Sequence, residues 1–208
     1  MSKFSNDNPF FEFMGELGDW MILNVLFILT SLPLVTIGMS MTAMYKIALR
    51  KRRGESNYII REYFKACREE WKQSTVLWLI LLVSGSVFIF DLIYTRKWGI
   101  VFSVAIVILM VIWSFLFSYV FPLQARFQNS IKNTMKNALF LAVKYFPYTL
   151  LIAALNLIPV ICLLAGARIT MMVTPIYCFI GFGITAKINS ILFSRIFDSF
   201  MQMSEEEA

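Results

Sequence analysis

Five stretches of this chain stay apolar for about the 20 residues that a helix needs to cross a ~30 Å hydrocarbon layer, and that limits what the chain can fold into. They are Trp20–Tyr45, Thr75–Tyr94, Ile100–Leu123, Tyr148–Gly166 and Ile169–Leu192. Inside lipid every backbone N–H and C=O has to be satisfied by the chain itself, so a spanning segment is either a helix or part of a closed barrel. The polar–apolar alternation of barrel strands is not in these stretches. The expected fold is all-α: a polytopic membrane helix bundle of five transmembrane helices plus amphipathic interfacial helices, one membrane domain over residues 1–208. The chain is 59% hydrophobic and 15% charged, against about 25% charged in soluble domains. That excludes a soluble globule and a disordered chain. The links Thr95–Gly99 and Ala167–Arg168 are short enough to make antiparallel neighbours of the helices they join.

Orientation follows from the 19 Lys and Arg residues. Lys46, Arg50, Lys51, Arg52, Arg53, Arg61, Lys65, Arg68 and Lys72 fall between the first two spans. Arg126, Lys132, Lys136 and Lys144 follow the third, and Lys187 and Arg195 lie near the C-terminal end. Only Lys3, Arg96, Lys97 and Arg168 fall on the other side. The positive-inside rule then puts segments 46–73 and 124–146 and the C-terminus in the cytoplasm, and the acidic N-terminus outside. The net charge of +6 is accounted for by topology and implies no nucleic acid. The N-terminus lacks the basic start of a signal peptide and its first apolar span is too long for one, so that span is expected to remain.

Between the spans the pattern is amphipathic. Residues 8–19 read as an interfacial helix, with Asn8 as N-cap, Pro9 in the first turn, and Phe10, Phe13, Met14 and Leu17 opposite Glu12, Glu16 and Asp19. A lipid anchor and a partner-binding helix both fit. After the turn signal Gly54-Glu55-Ser56-Asn57, the stripe Ile60, Phe64, Cys67 and Trp71, flanked by Ile59 and Tyr63, predicts a helix running straight into the second span. It suits anionic headgroups or a protein partner equally. Residues 124–146 predict another interfacial helix, turning into the fourth span at Pro147.

Polar residues inside spans are costly and therefore informative. Pro33 lies among Thr30, Ser31 and Thr36 and predicts a kink whose freed carbonyls are re-satisfied by hydroxyls; a gating hinge is the alternative. Asn24 and Asn156 are the amides placed to bond another helix. Asp91, about 24 Å along its helix at 1.5 Å per residue, falls near the far interface beside Arg96 and Lys97. Lys187, about 27 Å along the fifth span, is expected to snorkel to the cytoplasmic interface. No histidine is present and the three cysteines form no CxxC pair, so His-dependent catalysis and the usual Cys/His metal sites are excluded. No Walker A or GxGxxG occurs. No catalytic, cofactor-binding or metal residue is assigned.

Three stretches together resemble the YesL family of small bacterial membrane proteins: NPFFEFMGELGDWMILN at the N-terminus, SLPLVTIGMSMTAMYKIALRKRRGESNYIIREYFKACREEWKQSTVLWLILL at residues 31–82, and SYVFPLQARFQNSIKNTMKNALFLAVKYFPYTLLI at residues 118–152. The similarity runs from about Asn8 to about Phe200. The family has no established chemistry, and its members tend to be encoded beside carbohydrate ABC importers. The resemblance implies a non-catalytic accessory subunit in the bacterial cytoplasmic membrane that binds and stabilises or regulates the permease of an oligosaccharide importer. Contact with the cytoplasmic ATPase is also open. The expected contact residues are Tyr58, Tyr63, Phe64 and Trp71 on one segment, and Pro122, Gln124, Arg126 and Phe127 on the other. A self-contained small oligomeric transporter or channel is the alternative. A membrane sensor or assembly factor for sugar uptake is a third.

Overall fold

The computed structural model describes residues 9–56, 58–95 and 100–206. Among the described residues there is no strand. The helices are α1 (Pro9–Ser31), α2 (Ile37–Arg52), α3 (Ile59–Thr95), α4 (Ile100–Arg126), α5 (Ile131–Lys144), α6 (Phe146–Leu164), α7 (Ala167–Ile176) and α8 (Phe182–Glu206). Five segments are long and apolar enough to cross a membrane: Phe10–Ser31, Ile59–Tyr94, Ile100–Arg126, Phe146–Leu164 and Ala167–Gln202. The protein is a multi-pass helical membrane bundle. Its outer surface is what lipid requires, with Ile100, Val101, Val104, Ile108 and Val111 all exposed on α4.

The first expected span, Trp20–Tyr45, is not one helix. The predicted interfacial helix and the first part of that span are a single helix, α1, and the chain breaks at Leu32–Pro33 before a 3₁₀ turn at Leu34–Thr36. Asn8 lies outside the described residues. Pro33 has no N–H to donate and disfavours helical geometry at Leu32. The freed carbonyls are satisfied as the hydroxyl pattern implied. Thr36 Oγ1 donates to Thr30 O at 2.6 Å and to Pro33 O at 2.7 Å. Trp78 Nε1 donates to Leu34 O at 2.8 Å. What was expected to be a kink is a full break, and it releases α2 as a separate 16-residue helix.

Helix α2 is the centre of the bundle and packs on α1, α3, α4 and α8. Its buried residues run from Gly38 to Leu49. Small and hydroxylated residues at Gly38 and Thr42 bring α3 very near. A Cβ on Gly38 would sit 2.4 Å from Trp78 Cβ and 2.5 Å from Ser74 O, and Ser74 Oγ donates to Thr42 Oγ1 at 2.8 Å with both residues fully buried. Such close backbone approach is how helices associate where no hydrophobic difference separates lipid from protein.

Helix α3 confirms the expected continuous run: 37 residues, about 55 Å at 1.5 Å per residue, against a ~30 Å hydrocarbon layer. The inward stripe is Ile59, Tyr63, Ala66, Cys67, Glu70, Ser74, Leu77 and Leu81, all buried. The expected stripe was shifted by about one residue, because Ile60, Phe64 and Trp71 are apolar too but face outward. The fifth expected span is also interrupted. Pro175 lies in α7, and a π turn at Tyr177–Gly181 joins α7 to α8.

The ion pairs correct the expected separation of Glu16 and Asp19 from the basic residues Lys51 and Lys187. Glu16 Oε1 is 2.7 Å from Lys187 Nζ, and Asp19 is paired with Lys51. An N-terminus outside and a cytoplasmic C-terminus would put these acids across the membrane from their partners. The acidic side of α1 and the basic ends of α2 and α8 instead share one end of the bundle, so the chain doubles back between Asp19 and Lys51. Positive-inside counting scores only the basic residues, and so it could not register that the acids pair with them.

Two outcomes check this architecture. Gly38→Ala forces α2 and α3 apart and lowers stability by about 2 kcal/mol, read from unfolding in mixed micelles. Single cysteines replacing Glu16 and Arg53, in a background without Cys67, Cys162 and Cys178, respond alike to an impermeant maleimide, both labelled or both protected, when right-side-out and inverted vesicles are compared.

Candidate functional site

Charge brought into the bundle has to be matched there, and Glu70 is where the chain does this. Its position on the inward stripe of α3 leaves it 8% exposed. Lys46 Nζ on α2 lies 3.0 Å from both Glu70 Oε1 and Glu69 Oε2. Gln124 Nε2, at the end of α4, donates to the other Glu70 oxygen at 2.8 Å. Gln124 Oε1 in turn accepts from Gln73 Nε2 at 2.9 Å and from Thr134 Oγ1 on α5 at 3.3 Å. Gln73 also donates to Asn129 O. Four helices and the α4–α5 link are thus tied by one network. It borders a polar cleft of about 580 Å³ lined by Glu69, Glu70, Gln73, Gln124, Gln128 and Asn129. One turn outward, Arg50 pairs with Glu62 at 3.4 Å, holding the beginning of α3 to the end of α2.

Desolvation works against the Lys46 ammonium, but hydrogen bonds to Glu70 and Glu69 outweigh it and hold its pKa above the ordinary lysine value. A raised lysine pKa contributes stability below the unfolded value, and that contribution is lost as pH rises through the folded one. Lys46 therefore keeps its charge throughout the neutral range.

Two further polar devices join the helices. Asn156 on α6 donates to Ser118 Oγ on α4 at 3.2 Å and accepts from Asn189 Nδ2 on α8 at 2.9 Å. Asn189 also donates to Tyr45 OH on α2 at 3.1 Å. Asn24 on α1 is fully buried against the π turn. Its Nδ2 donates to Tyr177 O and Cys178 O at 3.1 and 2.8 Å, and its Oδ1 accepts from Gly183 N at 2.9 Å. The amide stands in for the helical ladder where the turn is widened. Gly183 allows the approach, since a Cβ there would be 2.5 Å from Trp20 O.

The structure sorts the expected residues. Asn24 and Asn156 bond between helices as their positions implied. Pro33 sits at the α1–α2 break. Lys187 does not simply snorkel to water: it pairs with Glu16 and lies 5.8 Å over the Trp20 ring. Asp91 is half-buried on α3, and its expected neighbours Arg96 and Lys97 lie outside the described residues. Of the expected contact residues, Tyr63, Pro122 and Gln124 are buried in the bundle and their side chains are not available to a partner. Arg126 and Phe127 are half-buried. Tyr58, Phe64 and Trp71 are 73%, 53% and 52% exposed. Sequence reasoning missed Lys46, Glu70, Gln73 and Asn189. Glu70 and Ser74 follow Tyr63 at i+7 and i+11, a periodic signal that places a carboxylate among core positions.

Residues 20–92 are similar to a family described as protein of unknown function, DUF624. The match begins at Trp20 and takes in α2 and all but the last residues of α3, so it includes Lys46, Glu69, Glu70 and Gln73. No curated protein and no solved structure matches the chain.

Truncating Glu70 leaves the Gln124 amide without its acceptor and Lys46 with the half-exposed Glu69 alone. Glu70→Ala is expected to cost about 3 kcal/mol in micellar unfolding. Lys46→Met combined with Glu70→Leu recovers much of that loss, since an apolar pair has no charge to desolvate.

Proposed function

We propose that this protein is a non-catalytic accessory subunit of a carbohydrate ABC importer in the bacterial cytoplasmic membrane, bound to the permease through the outward face of the first turns of α3. The sugar-uptake setting rests on the resemblance of residues 8–24, 31–82 and 118–152 to the YesL family. The observation that carries the docking face is the row Ile60, Phe64 and Trp71, spaced i, i+4 and i+11, each more than half exposed. Arg61, Lys65, Arg68 and Lys72 flank it and are exposed as well. Aromatic anchors beside basic residues are the composition of a protein interface centre. The segment is held rigid from behind by the Lys46–Glu70 and Arg50–Glu62 pairs, so little ordering cost attends binding.

One observation favours a second reading, a self-contained small oligomeric transporter. The cleft of Glu69, Glu70, Gln73, Gln124, Gln128 and Asn129 offers the acids and amides that bond the hydroxyls of a polyol.

Purification of the tagged protein from its native membrane decides between them. The accessory role requires that permease subunits co-purify, and that Phe64→Ala with Trp71→Ala lowers their recovery about tenfold or more. Recovery of the protein alone, together with sugar flux by the purified protein in liposomes, would establish the transporter instead.

A further inference from the structure

Four arginines from three helices converge on one cleft. Arg52 and its neighbour Arg53 close α2, Arg126 ends α4, and Arg195 lies on α8; with Ser194 and Asp198 they line a space of about 340 Å³. Leu49 and Phe197, both buried, form its apolar wall. The internal charge balance is incomplete. Arg53 Nε pairs with Glu55 at 2.7 Å, and Arg126 reaches Asp198 only at 3.9 Å. Among the described residues no ion pair is made by Arg52 or Arg195.

Helix dipoles account for part of this. Cations at the C-terminal ends of α2 and α4 are favourable, which would explain Arg52, Arg53 and Arg126 singly. They do not explain Arg195, which stands in the middle of α8 (Phe182–Glu206) and still lines the same cleft. Glu55 and Asp198 offset two of the four charges, and the two left over repel each other and their neighbours until a further anion is present. The planar guanidinium fork matches the oxygens of a phosphate, and a serine hydroxyl beside it supplies a further donor.

We propose that this cleft binds a phosphate-bearing anion. Basic pockets at the ends of spanning helices take lipid head groups, and the apolar wall of Leu49 and Phe197 suits the glycerol end of one. A free phosphate or phosphorylated metabolite presents the same chemistry. The site is independent of the accessory-subunit reading, since it shares no residue with the α3 docking face.

The test uses the full chain in neutral detergent, titrated separately with short-chain phosphatidylglycerol, short-chain phosphatidylcholine, glycerol 3-phosphate and inorganic phosphate, with binding read by thermal shift. Phosphatidylglycerol is expected to bind well above phosphatidylcholine. Arg52→Gln and Arg195→Gln, neither of which removes an internal ion pair, each weaken binding about fivefold. Lys65→Gln with Arg68→Gln, a larger charge change on exposed α3 positions, leaves it unaltered. Response to phosphatidylglycerol alone assigns the site to a lipid head group; response to glycerol 3-phosphate or phosphate as well assigns it to a soluble ligand. The proposal is overturned if no phosphate probe binds better than phosphatidylcholine, or if the α3 pair weakens binding as much as the cleft variants do.

Discussion

A carboxylate cannot sit unpaired among packed helices, and the bundle is arranged around the one that Glu70 presents. Satisfying it takes Lys46 from α2 and Gln124 from α4. Gln124 then needs donors of its own, which Gln73 and Thr134 provide. Each partner comes from a different stretch of chain, so one buried charge fixes the register of α2 against α3 and the placement of α4 and α5. The Gly38–Ser74 approach and the Thr42–Ser74 bond, one to two turns away, hold the same pair of helices by contact instead of charge. A buried ion pair contributes little net stability, but it penalises wrong pairings strongly. In a bundle whose remaining surfaces are nearly uniform in hydrophobicity, that penalty is a source of specificity.

The two interruptions of the helices are repaired by the same means, side-chain hydrogen bonds to the freed backbone. At Pro33 the missing donor is replaced by Thr36 and Trp78. At the π turn the donors and the acceptor come from one Asn24 side chain. Both breaks carry polar backbone that lipid could not solvate. Both repairs use side chains from elsewhere in the bundle, so each break also acts as a joint: Trp78 ties the Pro33 turn to α3, and Asn24 ties α1 to α8.

Much of this was legible in the sequence, for reasons that differ from element to element. The apolar lengths gave the number of candidate spans, because the bilayer sets the length. The continuous α3 followed from one unbroken helical period after the Gly54 turn. Pro33 and the hydroxyls around it announced both a disruption and its repair, but the extent of the break depended on Trp78, which is 44 residues away. The inward stripe of α3 was misplaced, since Ile60, Phe64 and Trp71 are as apolar as Ile59, Tyr63 and Cys67. Only the tertiary partner of Glu70 separates the two sets. The π turn had no local signal beyond Pro175, because the residue that stabilises it is Asn24, 153 residues from Tyr177.

Polar side chains in this protein therefore divide by where their partners are. Those at Glu70, Lys46, Asn24, Asn156 and Asn189 bond to other helices and join them. Those on the outer side of α3 and around the four-arginine cleft are held rigid by the first group while their own valences face outward. Ile60, Phe64 and Trp71 stay about half exposed, and among the described residues Arg52 and Arg195 make no ion pair. The aromatic row of α3 and the cationic cleft lie outside this internal bonding, so substitutions there leave the packing of the helices intact. The two surfaces differ in chemistry, one apolar with basic flanks and the other cationic, and the contacts proposed for them are therefore separable by mutation.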